Sequence, residues 1–163
     1  MAAPTGLPNP ALVEVVAVKT AQEMCDAVLE RVKGADALIM AAAVADYRPT
    51  TEADQKIKKA SADLTIDLAK TTDILEAANG DFVKVGFSAE TQNLVSNAKI
   101  KVGSKNLDLI VANDVTDPDS GFGIDTNKVT LIDRDLNVEE LSVLTKYEVG
   151  HRILDRVSKL LGS

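Results

Sequence analysis

The chain has no tryptophan, one cysteine, one histidine and only five aromatic residues among its 163. Each shortage removes a class of function. So few rings provide no stacking platform for single-stranded nucleic acid. A net charge of −7 argues against nucleic acid or an anionic membrane as a bulk partner. A lone Cys25 excludes an internal disulfide and a multi-cysteine zinc site, and it fits a reducing cytoplasm. It falls in the helical pattern Ala21–Val32, where it reads as a small buried residue rather than a nucleophile. His151, with no second histidine to join it, reads as a helix-surface residue rather than a metal ligand or triad base. No apolar run approaches the roughly 20 residues of a membrane span, and no basic segment precedes an apolar one as in a signal peptide. Glycine-rich phosphate loops are missing too: there is no GxGxxG and no Walker A, and Gly121-Phe122-Gly123 is an isolated pair in a turn.

What remains is one globular domain, with 45% hydrophobic and 26% charged residues. Met1–Pro10 reads as an extended lead-in and Leu12–Val18 as a β-branched strand. Thr20 with Glu23 forms a capping box for a helix to about Val32. Asp36–Ala43 is a short continuous apolar run, the pattern of a strand buried on both faces. Tyr47–Asp63 reads as loop and Leu64–Leu68 as an edge strand. Thr72 caps a short helix from Asp73 to about Asn79, ended by Gly80. Phe82–Ala89 is a strand, Thr91–Val102 a helix and Leu107–Ala112 a third buried strand. Beyond the turn-rich Asp117–Gly121, Val129–Ile132 and Val138–Leu141 form a hairpin around Arg134–Asn137. Thr145 and Glu148 open a last helix to Leu161. The alternation predicts an α/β, Rossmann-like, doubly wound and mostly parallel sheet with a C-terminal β-hairpin and helix.

In such sheets ligands bind outside the carboxyl ends of the strands. Here those ends lead to Asp46, to Glu90 and to Asn113-Asp114, so each buried strand brings a polar side chain to one rim. Lys56, Lys58 and Lys59 follow Asp46 on what reads as a loop. Three ammonium groups this close repel one another unless solvated or opposed by an anion, which points to an anionic ligand such as a nucleoside phosphate. A solvated basic loop is the plainer reading of the same residues. Lys99, Lys101 and Lys105 end the helix after Glu90, where lysine also serves to complement the helix dipole. Without a glycine loop, either phosphate is held by lysines and helix starts such as Thr72-Asp73, or part of the site is absent.

Five segments, in order and spanning about Pro4 to Leu161, resemble the phosphopantothenoylcysteine synthetase (phosphopantothenate–cysteine ligase) family. They are Ala42-Ala-Val-Ala-Asp-Tyr-Arg48, Lys56-Ile-Lys-Lys59, Asp73-Ile74, Gly86-Phe87-Ser-Ala-Glu-Thr91 and Lys105-Asn-Leu-Asp-Leu-Ile-Val-Ala-Asn-Asp114. Phe122 with Asn127 adds a sixth, looser match. The resemblance implies a cytoplasmic enzyme of coenzyme A biosynthesis that uses CTP and Mg²⁺. It would join 4'-phosphopantothenate to L-cysteine through an acyl-cytidylate. It also implies nucleotide contacts at Met40, Ala41, Ala42, Asp46, Lys56, Thr72, Asp73, Ile74, Leu75, Phe87, Lys101 and Lys105. Met40, Ala41 and Ala42 would offer backbone to the base or ribose. Asp46 would bind the ribose or organise metal-bound water. Lys56 would be the catalytic side chain closing on the triphosphate. Thr72 to Leu75 would present a helix start, Phe87 would pack on the nucleoside, and Lys101 and Lys105 would contact phosphate. Metal ligands are not specified. The family is dimeric, and the region Leu64–Leu68 is the expected contributor to pairing.

Two departures qualify the resemblance. Thr72 stands where the family has Pro. Family members also carry an earlier strand, a Gly/Ser-rich loop and an Asn, and none of these is in the sequence, so the expectation is an amino-terminally truncated synthetase domain. In bacteria that domain is commonly joined to a flavin-dependent decarboxylase, which makes a decarboxylase domain or chain an expected partner. The missing loop keeps open a non-catalytic nucleotide-binding or partner-docking fragment. A nicotinamide-type Rossmann domain is disfavoured for want of a glycine fingerprint.

Overall fold

The computed structural model describes residues 1–51, 53–56, 64–116, 120 and 123–162. In chain order its elements begin with α1 (Ala21–Arg31), β1 (Ala37–Met40), β2 (Tyr47–Pro49), β3 (Leu68–Lys70), α2 (Ile74–Ala77), β4 (Val83–Glu90) and α3 (Leu94–Ser104). They continue with β5 (Leu109–Asp114), β6 (Thr126–Asn127), β7 (Val129–Asp133), β8 (Val138–Glu140), β9 (Leu144–Thr145) and α4 (Lys146–Leu160).

The first and last helices start where side chains satisfy their free amides. Thr20 Oγ1 accepts from the Glu23 amide at 3.1 Å, and Glu23 Oε2 accepts from the Thr20 amide at 3.3 Å. Thr145 and Glu148 repeat the exchange at 3.2 and 2.9 Å. Each box pairs two donors that a bare helix end would leave to water.

The main sheet has the order β1-β4-β5-β7-β8. β1, β4 and β5 pair in parallel, with Met40 opposite Gly86 and Phe87 opposite Val111. β7 and β8 extend the sheet as an antiparallel hairpin. The α/β fold with its C-terminal hairpin and helix is as the sequence suggests, and its parallel pairing is confined to the first three strands of that order. The side-chain alternation of β5 divides the core. Ile110 and Ala112 pack with α1, α2 and α3, while Leu109 and Val111 pack with α4. Ile110 and Val111 are essentially inaccessible, and truncating such a side chain to alanine costs about 2–5 kcal/mol for Ile.

Several local expectations fail for identifiable reasons. Leu12–Val18 forms no strand: only an Ala2–Ala17 bridge is present, and Leu12 is exposed with φ +63°. β-branched residues favour a strand only where a neighbour completes the ladder. Tyr47 opens a strand rather than a loop, and its partner starts at Leu68 instead of ending there. Thr72 does not cap α2. Asp73 does, its Oδ1 accepting from the Glu76 amide at 3.2 Å, and the helix is one turn long. α3 begins at Leu94, behind an Asn93 in the left-handed region at φ +52° that makes no side-chain cap. Glu52, Lys58, Lys59, Asp117 and Phe122 lie outside the described residues.

Candidate functional site

β1 stops at Met40, opposite Gly86, while β4 runs on to Glu90, and the chain leaving β1 lies open. Ala41, Ala42 and Ala43 are exposed, so a ligand can approach the backbone there without meeting a large side chain. The Ala42–Asp46 segment becomes one wall of a cleft of about 380 Å³. Thr71 holds that wall: its hydroxyl donates to the Ala45 carbonyl, and its amide to the Asp46 carbonyl at 2.8 Å. Lys70–Leu75 form the opposite wall, Phe87–Ala89 the floor, and Lys101 and Lys105 close the end. A cleft of this size suits a nucleotide-sized ligand.

The floor depends on a glycine. A Cβ on Gly86 would stand 2.9 Å from Leu107 Cδ1 and 3.1 Å from Leu75 Cδ1. Any larger residue would have to displace the tips of the Leu107 and Leu75 side chains, the second of which packs α2 into the core over β4. On the same face Lys84 is buried, its Nζ donating to the Leu75 carbonyl at 3.0 Å. A one-turn helix has no backbone donor for that carbonyl, and the lysine supplies one. Burial lowers the Lys84 pKa, partly offset by the Asp108 carboxylate, which also accepts from the Lys84 amide at 2.8 Å.

The two lysines at the end of the cleft are already paired. Lys101 Nζ lies 2.6 Å from Glu90 Oε1, and Asn97 donates to Glu90 Oε2 at 3.0 Å. Lys105 Nζ lies 2.7 Å from Asp73 Oδ2. Burial alone would raise both carboxylates. The ammonium partners and the added hydrogen bonds outweigh it, so Glu90 and Asp73 both have lowered pKa values. Ser88, on the floor, has a buried Oγ outside hydrogen-bond geometry with any group, though it lies near enough to Glu90 to lower it slightly. Asn113 Oδ1 is likewise buried and without a partner. Buried polar atoms of this kind are uncommon.

Of the residues expected at a nucleotide site, Met40, Ala42, Asp46, Thr72, Asp73, Ile74, Leu75, Phe87, Lys101 and Lys105 all line the cleft. Ala41 and Lys56 do not; both are exposed nearby in the chain. Of the three polar strand ends, only Asp46 lines it. Glu90 turns inward to Lys101, because an eight-residue strand carries that side chain onto the α3 face. A one-turn α2 whose N-cap is filled by Asp73 has little macrodipole to offer. Among the described residues no group of three or more His, Cys, Asp or Glu is placed to hold a metal ion. Cys25 is buried with its thiol pKa pushed up by desolvation, and His151 stacks edge-on against Tyr147 at 4.6 Å on the surface of α4. Sequence reasoning missed Lys70, Thr71 and Ser88, all in the lining. For Lys70 the only signal was a lysine at the end of an alternating segment.

Comparison with known proteins adds an independent line. The family model described as the DNA/pantothenate metabolism flavoprotein C-terminal domain matches residues 1–161. The chain is similar to the coenzyme A biosynthesis bifunctional protein CoaBC of Bacillus subtilis (strain 168), at 41% identity over 161 residues, 96% of this chain and 40% of that protein. It is 40% identical over 154 residues to a protein of an unknown prokaryotic organism named cysteine/cysteine sulfinic acid decarboxylase, covering 91% of this chain and 43% of that one. The chain therefore spans about two fifths of the length of these curated relatives. The crystal structure of the C-terminal domain of CoaBC superposes with a TM-score of 0.80 at 36% identity, over 98% of this chain and 72% of that one.

Proposed function

Because the chain belongs to the family of DNA/pantothenate metabolism flavoprotein C-terminal domains, we propose that it carries the phosphopantothenate–cysteine ligase step of coenzyme A biosynthesis. The observation that carries this reading is the cleft beyond the end of β1 and beside the second half of β4, where four of the five matched segments meet, with Asp46, Phe87, Lys101 and Lys105 in the lining. In the first half-reaction, a carboxylate oxygen of 4'-phosphopantothenate attacks the α-phosphorus of CTP. The bond to the β-phosphate oxygen breaks, releasing pyrophosphate and leaving an acyl-cytidylate. The amine of L-cysteine then attacks the acyl carbon, the acyl–phosphate bond breaks, and CMP leaves as the amine loses its proton.

On this reading Ala41 and Ala42 offer backbone to the nucleoside, and Phe87 packs against it. Thr72–Leu75 form the facing wall. Lys56, exposed and free of ion pairs among the described residues, closes over the triphosphate and offsets charge developing at the α-phosphate. Lys101 and Lys105 reach phosphate only by loosening Glu90 and Asp73, which makes them regulators of local charge as much as direct ligands. Of the two acids in the lining, Asp46 and Asp73, only Asp46 has no lysine partner among the described residues. One carboxylate together with substrate phosphates is the usual way of holding Mg²⁺, so Asp46 would hold it here. When bound, Mg²⁺ neutralises phosphate charge.

A decarboxylase reading gains nothing from the site, since Cys25 is buried and His151 lies away on α4. Pairing of two copies through the exposed apolar residues of the two-stranded β2–β3 ribbon and of the segment entering it, Tyr47, Leu64, Ile66 and Leu68, belongs to the same proposal. So does a cytoplasmic location; no helix among the described residues is long and apolar enough to cross a membrane. A covalently joined or separate decarboxylase is the expected partner; the bifunctional relative is longer than the match, which covers 40% of it.

The test is pyrophosphate release from CTP and Mg²⁺ with 4'-phosphopantothenate, with and without L-cysteine, beside an ATP control. Release with CTP is expected, and Lys56→Ala should reduce it by about 10²-fold or more without lowering the melting temperature. Silence while CTP still binds would leave a nucleotide-binding fragment. Undiminished release from Lys56→Ala would remove that residue from the chemistry.

A further inference from the structure

We propose that Lys84 is a positioning residue for the nucleotide site: its ammonium ties the Asp73–Leu75 wall of the cleft to the main sheet, and does so most when a ligand draws Lys105 away from Asp73. Lys84 is 4% exposed and lies outside the lining, so it acts through α2 and not on a ligand.

The hydrogen bonds of α2 single this lysine out. The carbonyls of Asp73 and Ile74 accept from the amides of Ala77 and Ala78 at 2.9 and 2.8 Å. Those of Glu76 and Ala77 accept from the Asn79 side chain at 3.4 and 3.1 Å. The Leu75 carbonyl is served from outside the segment, by Lys84 Nζ at 3.0 Å. Among the described residues this is the one hydrogen bond between the backbone of α2 and the main sheet. A single turn has too little of its own structure to keep its place without such a tie.

Two other contacts hold the wall, and neither does the same work. Leu75 packs in the core over Gly86, an apolar contact without direction. Lys105 Nζ lies 2.7 Å from Asp73 Oδ2, but a phosphate in the cleft competes for that ammonium. As Lys105 turns to the anion its hold on Asp73 weakens, and the bond from Lys84 is the directional tie that remains.

Burying an ammonium is unfavourable, and an apolar side chain of similar length would fill the same space. No ion pair among the described residues compensates Lys84. The facing carboxylate, Asp108, is paired with Arg134 at 2.8 Å and accepts from the Lys84 amide at 2.8 Å. Burial lowers the Lys84 pKa; Asp108 and Asp73 offset part of this, while Arg134 adds to it. The Phe82 ring lies 6.0 Å from Nζ. The Leu75 carbonyl is the one acceptor within hydrogen-bond distance of that charge among the described residues.

The inference rests on the ligase reading only for its ligand, CTP. Lys84→Met keeps the apolar stem and removes the donor. In the ligand-free chain, hydrogen exchange at the Ala77 and Ala78 amides should quicken by about tenfold, the equivalent of one lost hydrogen bond. The Ile110 and Val111 amides of β5 should keep their wild-type rates. In a Lys105→Gln background the same substitution should quicken the α2 amides by a larger factor than in wild type. CTP affinity, measured by calorimetry well below the melting temperature, should fall about three- to tenfold in Lys84→Met, a loss that a purely stabilising residue would not cause in folded chain. If Lys84→Met does not fold, Lys84→Gln, which keeps an N–H donor on a shorter stem, serves for both measurements with the same direction of change. Unquickened α2 amides, or equal quickening in α2 and β5, overturn the tie. Quickened α2 amides with unchanged CTP affinity overturn the positioning role. A wild-type chain that binds no CTP discards the ligase reading, while the exchange rates still decide the tie.

Discussion

Glu90 shows how much of the site is set by one buried carboxylate. Its side chain is 9% exposed against 39% for Lys101, so the pair is anchored from the protein side. In the unfolded chain Glu90 takes up its proton near the ordinary 4.5, while in the folded protein the Lys101 and Asn97 contacts hold it ionised to lower pH. Between those two values the unfolded state binds more protons, so stability is full above the ordinary value and falls as pH drops through the folded one. Glu90→Gln should therefore flatten the acid side of the stability–pH curve below about pH 5 and free Lys101 for anions. Thermal melts from pH 3 to 7 check the first effect; an unaltered acid limb would assign the acid sensitivity to other groups, Asp73 first. The sequence shows Lys101 and Lys105 as cations but not their partners, which are chosen by how α3 packs on β4 and α2. Lys84 is a charge inside the strand Phe82–Ala89 that no local pattern explains. Only the structure supplies the Leu75 carbonyl that accounts for it.

At the scale of elements, the strongest local signals were those in which a side chain completes its own backbone. The Thr20–Glu23 box fixes the start of α1. Thr20→Ala should cost about 1 kcal/mol, a fall of roughly 2–4 °C in melting temperature for a chain of this size. It should leave the α4 box untouched. A melt indistinguishable from wild type would mean that Glu23 alone, accepting from the amides of Lys19 and Thr20, holds the end. The buried strands β4 and β5 were legible for a related reason, since apolar runs need cover on both faces; the run Asp36–Ala43 yields a strand only to Met40, and that strand is the sheet edge with Ile39 exposed rather than covered on both faces. The ribbon was not. Its pairing depends on Thr71 reaching back to Ala45 and Asp46 and on the Thr50 amide reaching Asp67, contacts between residues about 20 apart that no local pattern encodes. The two-residue strands β6 and β9 are too short to show any alternation. The cleft was thus readable beyond the end of β1, at Asp46, and unreadable where the ribbon supplies Lys70 and Thr71.

For the whole molecule, the proposed pairing of two copies raises the question of which exposed apolar edge would take the second one. Two compete. β1 ends the main sheet, but of its residues only Ile39 is substantially exposed, at 40%. The ribbon and the segment entering it expose Tyr47 at 59%, Leu64 at 65%, Ile66 at 61% and Leu68 at 56%. A run of this kind is uncommon on a lone domain and is the usual mark of an interaction surface. A dimer built there would also stiffen Lys70–Thr72, so assembly and ligand affinity should move together. Light scattering of the wild-type chain should give twice its 17.3 kDa mass. Leu68→Asp should give the single-chain mass and weaken CTP binding by several-fold, whereas Ile39→Lys should leave both unchanged. A wild-type chain that stays at 17.3 kDa at high concentration would show that the ribbon has some other partner. Dissociation by Ile39→Lys but not by Leu68→Asp would move the interface to β1, leaving the ribbon's exposed apolar residues for a joined or separate decarboxylase to cover.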